Sequence, residues 1–388
     1  MYDVVVVGGG PAGSTVGTIL ARRGLCVAIL DAQGFPRDKP CGGYLSSICA
    51  STIRQVYGQP FLDNVSVARS ADWLLLLNYG LVASVCGADT GHFVKRLQMD
   101  AALAGAAGAA GCTILESAKV VHVDPDQATA TLTSGQQVRG RILIGADGVN
   151  SLVRKAIRPV RAGDHRGMAV GMVADVPAER IRQEAVWSGA VTAPAIFFGN
   201  VPWGYGWIFP NGNTASIGVG GRVSRNRGIK ASWEAFIRRT CVPGTLEALR
   251  PQAGLLPFGN FERCPGKGAA LLIGDAAGLA DPVTGEGIGP AVLSAQLAAE
   301  AVVAGLAAGG PRTAVQRYIS AYCRHILPRL RQAWWSRWLL YPGPCLPAAL
   351  RALKRRPGLA RKYMEVVSGT RTHGQYLRNL LLEHWFRR

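Results

Sequence analysis

The runs Val4–Val7, LCVAIL ending at Leu30, Ile142–Ile144 and Ala270–Ile273 are apolar at every position. Continuous runs of this length are the pattern of strands buried on both faces of a parallel sheet. The first run leads into GGGPAG and a helical stretch to about Arg23, and the second ends at Asp31, so the chain opens as strand, glycine turn, helix, strand. RILIGADGVNSLVRKAI (141–157) repeats the strand-to-helix pattern, and the Ala270 run leads through a Pro/Gly-rich loop into a long Ala-rich helix. Residues 165–264 break this rhythm. AIFFGNVPWGYGWIFPNGNTASIGVGGRV alternates apolar and aromatic residues with Gly, Pro and Asn, which predicts two antiparallel strands and a turn at Asn211-Gly212-Asn213. After Arg312 the pattern changes again, to short basic helices interrupted by prolines.

The glycine turn reads Gly8-x-Gly10-x-x-Gly13, with Pro11 and Ala12 between the last two glycines. Gly8 suits the tight turn, Gly10 lets a pyrophosphate approach the backbone, and Gly13 lets the helix pack closely on the sheet. The phosphates then meet the free N–H groups of a helix N-terminus. Asp31 lies eighteen residues after Gly13, followed by Ala32, and is placed to accept hydrogen bonds from a ribose hydroxyl. The turn alone leaves NAD and FAD open. Two later strand ends bear on the choice: Gly145-Ala146-Asp147-Gly148, and Gly274-Asp275 with its following loop. Asp275 is placed to hold a ribityl hydroxyl. The loop of Pro282, Gly285 and Gly287 could turn its N–H groups to a flavin's pyrimidine edge, with the helix from Ile288 adding its positive end.

These three motifs, in this order and spacing, resemble the single-Rossmann FAD superfamily of p-hydroxybenzoate hydroxylase over most of residues 1–310. Arg96, in VKRLQMDAAL, matches an arginine that this superfamily places beside the flavin; the plainer alternative is a solvated helix arginine. The segment FPRDKPCGGYLS (35–46) resembles the P-R-x-K-x-C-G-G signature of the geranylgeranyl reductase family, and the W-x-W-x-I-P motif of flavin halogenases is absent. The resemblance implies that this loop crosses near the isoalloxazine, with Gly42 and Gly43 allowing close approach. Cys41 would be a thiol beside the flavin or a small packing residue, and Arg37 and Lys39 either anion ligands or solvated charges. Tyr205-Gly206-Trp207 with Gly218-Val219-Gly220 resembles the family's Y/F-x-W…G-x-G motif, its ten-residue gap longer than usual. Trp203, Tyr205, Trp207 and Phe209 would then line a pocket for an apolar substrate, or be ordinary sheet core.

The fold class expected is α/β. A discontinuous Rossmann-type FAD-binding domain (1–70, 92–164 and 265–310) would carry an antiparallel-sheet substrate domain (71–91 and 165–264) and a basic, Trp-rich helical region (311–388). The resemblance implies an FAD-dependent oxidoreductase that saturates C=C bonds of an isoprenoid or similar lipid chain, with hydride from N5 of reduced flavin and a proton from water or a nearby acid. Cys41, Tyr205 and Trp207 are the candidate catalytic residues. A flavin monooxygenase acting on an aromatic or polyketide substrate is the alternative; a non-enzymatic flavin-binding scaffold is the third. No second Gly-x-Gly-x-x-Gly unit is present, so the reductant would be a transiently bound NAD(P)H or a ferredoxin.

Composition narrows the rest. The chain has 388 residues, 48% hydrophobic and 17% charged, enough for a large core and against disorder. Nine scattered cysteines without a CxxC pair suit a reducing cytoplasm, and no His/Cys cluster has zinc spacing. MYDVVVVGGG lacks the basic start of a signal peptide, and no apolar run is expected to reach the eighteen or more residues of a membrane span. Net charge is +19; from Arg312 onward sixteen Lys/Arg face two acidic residues, so +14 of it lies in the last fifth. Trp334, Trp335, Trp338 and Tyr341 stand among those arginines, the composition of a segment resting on a membrane surface. Peripheral membrane contact through 330–388 is therefore expected, with core-capping helices as the alternative. No nucleic-acid module is present.

Overall fold

The computed structural model describes residues 1–158, 167–182, 193–226, 228–341 and 345–385. Parts of the expected sheet domain (165–166, 183–192, 227) and basic region (342–344, 386–388) lie outside the described residues.

The apolar runs form the centre of a mostly parallel sheet. Strand Tyr2–Val7 lies between Gln137–Gly145 and Val27–Leu30; beyond them Ala270–Leu272 and Thr113–Leu115 continue the parallel order. Alternate side chains of one strand feed opposite cores. Val4 and Val6 meet Val16 and Leu20 of the Pro11–Arg22 helix and the Ala-rich face of the Ile288–Ala308 helix. Val5 and Val7 meet an antiparallel arm, Val120–Asp124 and Thr129–Leu132. The basic region begins inside this same core. Helix Pro311–His325 packs along Ile288–Ala308 and buries Tyr318 and Tyr322, whose hydroxyls donate to the carbonyls of Leu272 and Glu262.

Helix Ile288–Ala308 corrects one expectation. Its 21 residues reach a mean hydropathy of 1.7 over an eighteen-residue window, so by length and composition it could cross a membrane. Ser294, Gln296 and Glu300 interrupt the apolar run, which is why the sequence showed no unbroken stretch. Half of that window is buried against the sheet and its neighbouring helices, as in a core helix.

A second, seven-stranded sheet runs in the order Gln252–Pro257, Met168–Pro177, Thr214–Arg222, Gly204–Asn211, Ala195–Phe198, Trp73–Leu77, Gly80–Val85, antiparallel except for one parallel pair. Its hairpin turns at Gly212-Asn213, with Asn211 and Thr214 already paired as strand ends. One face covers helix Ile229–Thr240 through Trp233, Phe236 and Ile237. The other carries Trp73, Phe198 and Phe209, and the C-terminal helices Cys345–Arg355 and Pro357–Val367 cover it with Leu350, Leu353, Leu359, Tyr363 and Met364. The tail is therefore amphipathic. Its apolar stripe completes a core, while Arg351, Arg355 and Arg361 are exposed.

At the glycine turn, Gly8 sits at φ +100°. A Cβ on Gly13 would stand 1.8 Å from the Gly8 carbonyl oxygen, with backbone rather than a flexible side chain in the way. Gly13→Ala is accordingly expected to cost about 3 kcal/mol or more through forced backbone displacement, read as a lowered thermal midpoint of the apoprotein; an unchanged midpoint would refute this close packing.

Candidate active site

Between the two sheets lies a cavity of about 730 Å³. It gathers most of the residues picked out in the sequence: Gly8, Gly10, Pro11, Ala12, Asp31, Ala32, Cys41, Gly42, Gly43, Arg96, Asp147, Tyr205, Trp207, Asp275, Gly285, Gly287 and Ile288. Gly13, Gly274 and Pro282 are not among its lining residues. Gly13 acts through packing, and Gly274 donates its N–H to Ser294 Oγ behind the wall.

The end at the glycine turn suits an anion. Helix Pro11–Arg22 starts without a side-chain cap, leaving its first N–H groups to a ligand. A Cβ on Gly10 would meet nothing closer than Arg37 Nη2 at 3.6 Å, so the chain's own packing does not require glycine there. Arg37 is not solvated: it bridges Asp31 and Asp100 at 3.2 Å each, and its buried Nε has no partner. Asp31 is likewise engaged within the chain. Its carboxylate accepts from Gly9 N at 2.8 Å and Gln33 N at 3.0 Å as well as from Arg37. Arg96 is buried and bidentate to Asp100, 2.7 Å at both oxygens. Burial opposes its charge, but the Asp100 carboxylate outweighs this and raises the pKa above the usual arginine value. The four groups form an alternating chain, Asp31–Arg37–Asp100–Arg96, and deleting one member would leave a buried charge uncompensated at about 3–5 kcal/mol.

The 35–46 segment crosses the cavity, lining it from Arg37 through Tyr44 apart from Asp38. Its two glycines differ in kind. Gly43 sits at φ +77°, and a Cβ there would come within 2.2 Å of the Val94 carbonyl oxygen, so the fold itself demands it. A Cβ on Gly42 would point at Trp207 Nε1, 3.1 Å away. Cys41 Sγ accepts from Gly43 N at 3.3 Å, and Lys39 Nζ lies 3.5 Å from Asp275 Oδ2. Asp147 lines the cavity too, but its carboxylate serves the chain, accepting from Ser151 Oγ and from the N–H groups of Leu152 and Val153.

The aromatic end is set by hairpin register. Trp207 pairs directly with Gly218, and Tyr205 with Gly220. The indole lies over the bare glycine backbone: a Cβ on Gly218 would be 2.1 Å from Trp207 Cζ2. The ten-residue gap thus follows from a two-residue turn. Trp207 Nε1 is buried without a hydrogen-bond partner, and an orphaned buried donor beside a cavity points to an acceptor on a ligand. Tyr205 donates its hydroxyl proton to the Thr284 carbonyl. Burial, then the nearby Asp281 carboxylate, raises its pKa, so the phenol stays neutral.

The loop from Asp281 to Gly287 is pinned from several sides. Asp281 Oδ1 accepts from the N–H groups of Val283 and Thr284 at 2.8 Å, and Asp281 Oδ2 lies 3.1 Å from His373 Nε2. Burial raises the Asp281 pKa, but His373 and these N–H groups prevail and hold it below the usual value. Tyr341 donates to the Val283 carbonyl at 2.7 Å. The following helix begins without a side-chain cap, and Gly287 and Ile288 line the cavity. Tyr341, expected among the aromatics of a membrane-surface segment, is instead buried against this loop; sequence reading missed His373, and also Glu286, Tyr363 and Val367 in the cavity lining. Glu286 accepts from Ser46 N at 3.3 Å. Burial, with Asp281 nearby, pushes its pKa up to about 7.

The cavity fits FAD: an open glycine and an unpartnered arginine N–H at the phosphate turn, a second uncapped helix start, and an orphaned indole N–H opposite. Known proteins agree. Residues 1–333 match the FAD binding domain family. The chain is 31% identical to the geranylgeranyl diphosphate reductase of Rhodobacter capsulatus over 336 residues, 80% of this chain and 77% of that one. It is 32% identical to the menaquinone reductase of Mycobacterium tuberculosis over 323 residues, 77% and 76% of the two chains. A geranylgeranyl bacteriochlorophyll reductase-like protein of Thermoplasma acidophilum shares the fold with a TM-score of 0.75 at 21% identity, covering 91% of this chain and 90% of that one. The chain therefore belongs to the FAD binding domain family, on its geranylgeranyl reductase branch, and is an FAD-dependent oxidoreductase.

Proposed function

We propose that this flavoprotein saturates carbon–carbon double bonds in the isoprenoid chain of a lipid-like substrate. The observation that carries the reading is the aromatic end of the cavity, where Trp73, Phe198, Tyr205, Trp207 and Phe209 face the FAD-binding wall. Relatives 31% and 32% identical to this chain over the aligned residues are named for reduction of geranylgeranyl diphosphate and of menaquinone, which favours this reading over the monooxygenase alternative.

When bound and reduced, FAD supplies the hydride. The chain's own residues do the rest. The turn at Gly8–Gly13 and the Arg37–Asp31 pair hold the nucleotide end, and the start of helix Ile288–Ala308 presents N–H groups and a positive dipole end to a ring anion. Trp207 and its glycine floor set the height of the slot in which an alkene lies flat, and the tail helix adds Tyr363 and Val367 to keep it dry. An isolated alkene is unactivated, so positioning and exclusion of water are the main contributions available. The cavity residues, Cys41 and Tyr205 included, belong to this proposal as cofactor and substrate contacts. The electrons come from outside, from a nicotinamide or a ferredoxin.

The same reading places the protein on a lipid surface. Trp335 is 66% exposed and Trp338 39%. Arg222 stacks its guanidinium over Trp203 at 5.1 Å and over Trp338 at 5.5 Å, with Arg225 6.0 Å from Trp203. Exposed indoles flanked by arginines suit the headgroup layer.

Three outcomes are expected. Gly10→Val should fold, because a Cβ there meets nothing closer than the flexible Arg37 side chain at 3.6 Å, but purify without FAD; a yellow variant would refute the phosphate assignment. Trp207→Ala should retain FAD yet slow oxidation of the reduced flavin by geranylgeranyl diphosphate about 100-fold; an unchanged rate would remove Trp207 from the substrate wall. Trp335→Ala with Trp338→Ala should weaken binding to anionic liposomes at least ~10-fold in a salt-sensitive background, measured by co-sedimentation; full-length protein indifferent to liposomes would end the surface reading.

A further inference from the structure

Saturating an alkene needs a proton as well as a hydride, and the cavity holds few groups able to give one. Tyr205 already donates to the Thr284 carbonyl, and Tyr44 lies 3.5 Å from the Val367 carbonyl. Asp281 is held ionised by His373 and two N–H groups. Asp275 faces Lys39, and the Cys41 sulfur accepts from Gly43 N. Glu286 is different. It is half-buried, lines the cavity between Gly285 and Gly287, and makes no ion pair among the described residues. Its partners all donate to it: Ser46 N–H, 3.3 Å from Oε1, with the Ser46 hydroxyl and the Gly289 N–H. Gly289 gives it room, since a Cβ there would stand 2.6 Å from Oε1.

We propose that Glu286 is the proton donor to the substrate alkene. This rests on the reductive reading above and names the acid that reading requires. The charged and titratable groups facing Glu286 are Tyr44 and Cys49 from the 44–57 segment, Tyr205 from the seven-stranded sheet, and Asp281 with its partner His373 from the same loop and the tail. Burial raises the Tyr44, Cys49 and Tyr205 pKa values, which keeps those groups neutral. Among the described residues Asp281 is therefore the negative neighbour, and burial together with it keeps Glu286 protonated up to about pH 7. Hydride from reduced FAD forms a C–H bond at one alkene carbon. The π electrons form the second C–H bond to the proton that leaves Glu286. The products are the saturated bond, oxidised FAD and the Glu286 carboxylate. Water returns the proton, and the external nicotinamide or ferredoxin returns two electrons.

The test uses full-length holoenzyme, reduced anaerobically with dithionite and mixed with geranylgeranyl diphosphate, and a menaquinone in parallel. Flavin reoxidation in the wild type should be level below about pH 7 and fall tenfold per unit above it, because the protonated form is the active one. Glu286→Gln should bind FAD normally, slow reoxidation at least ~100-fold and lose the pH break; Glu286→Asp should keep the break at a reduced rate. Independently of turnover, infrared titration of the apoprotein should show a protonated carboxyl band that disappears around pH 7 and is missing from Glu286→Gln. Wild-type reoxidation with an unimpaired Gln variant, or a Gln variant that keeps the band, overturns the assignment. Failure of the wild type to be reoxidised by either probe overturns the alkene reading itself, and the donor role falls with it.

Discussion

The site depends on how the loop from Asp281 to Gly287 is held. Three carbonyl or carboxylate groups of that loop are gripped by side chains from three different parts of the chain: Thr284 by Tyr205, Val283 by Tyr341, and Asp281 by His373. Inside the loop, Asp281 takes the N–H groups of Val283 and Thr284, and the Gly285 N–H returns to the Asp281 carbonyl. With its acceptors satisfied, the loop can leave the start of the following helix open to the cavity. Buried polar backbone without such partners would be costly. The parallel sheet positions the loop, the antiparallel sheet clamps one side of it and the tail clamps the other.

The aromatic wall follows from a complementary constraint. Along the hairpin the bulky residues stand on one strand and the bare ones on its neighbour, so that Trp207 lies across Gly218 and Gly220 instead of standing clear of the sheet. Phe209 continues the row and meets Trp73, Tyr44 and Phe93. The segment that crosses the cavity at Gly42 then closes over the indole edge. Sheet pairing, glycine placement and crossing loop together define one slot.

Much of this was legible in the sequence wherever local chemistry forced a residue type. Gly8, Gly13 and Gly43 are required by backbone contacts, and the motifs that contain them stand out for that reason. The hairpin was legible from its alternation, with the turn narrower by one residue because Asn211 pairs with Thr214. Glu286 was not. A carboxyl between two glycines has no diagnostic spacing, and its character comes from being enclosed by Ser46 and Tyr44, some 240 residues earlier. His373 was hidden, and Tyr341 was read as a surface aromatic, for a similar reason. Their neighbours are so rich in arginine and tryptophan that the tail's charge masked the apolar stripe of Leu350, Leu353, Leu359 and Tyr363. Arg37 and Asp31 were seen individually, but their mutual engagement through Asp100 depends on where the Arg96–Ala109 helix lies.

The match to the FAD binding domain family ends at residue 333, while Tyr363 and Val367 reach the cavity from beyond it. The FAD-binding match and part of the cavity lining therefore occupy separate stretches of the gene. Drift in the tail can reshape the far wall while leaving the flavin machinery untouched, provided the His373 tie is kept. An ancestral enzyme with one such tail could diverge toward new apolar substrates by mutating only the few dozen codons that follow the family match.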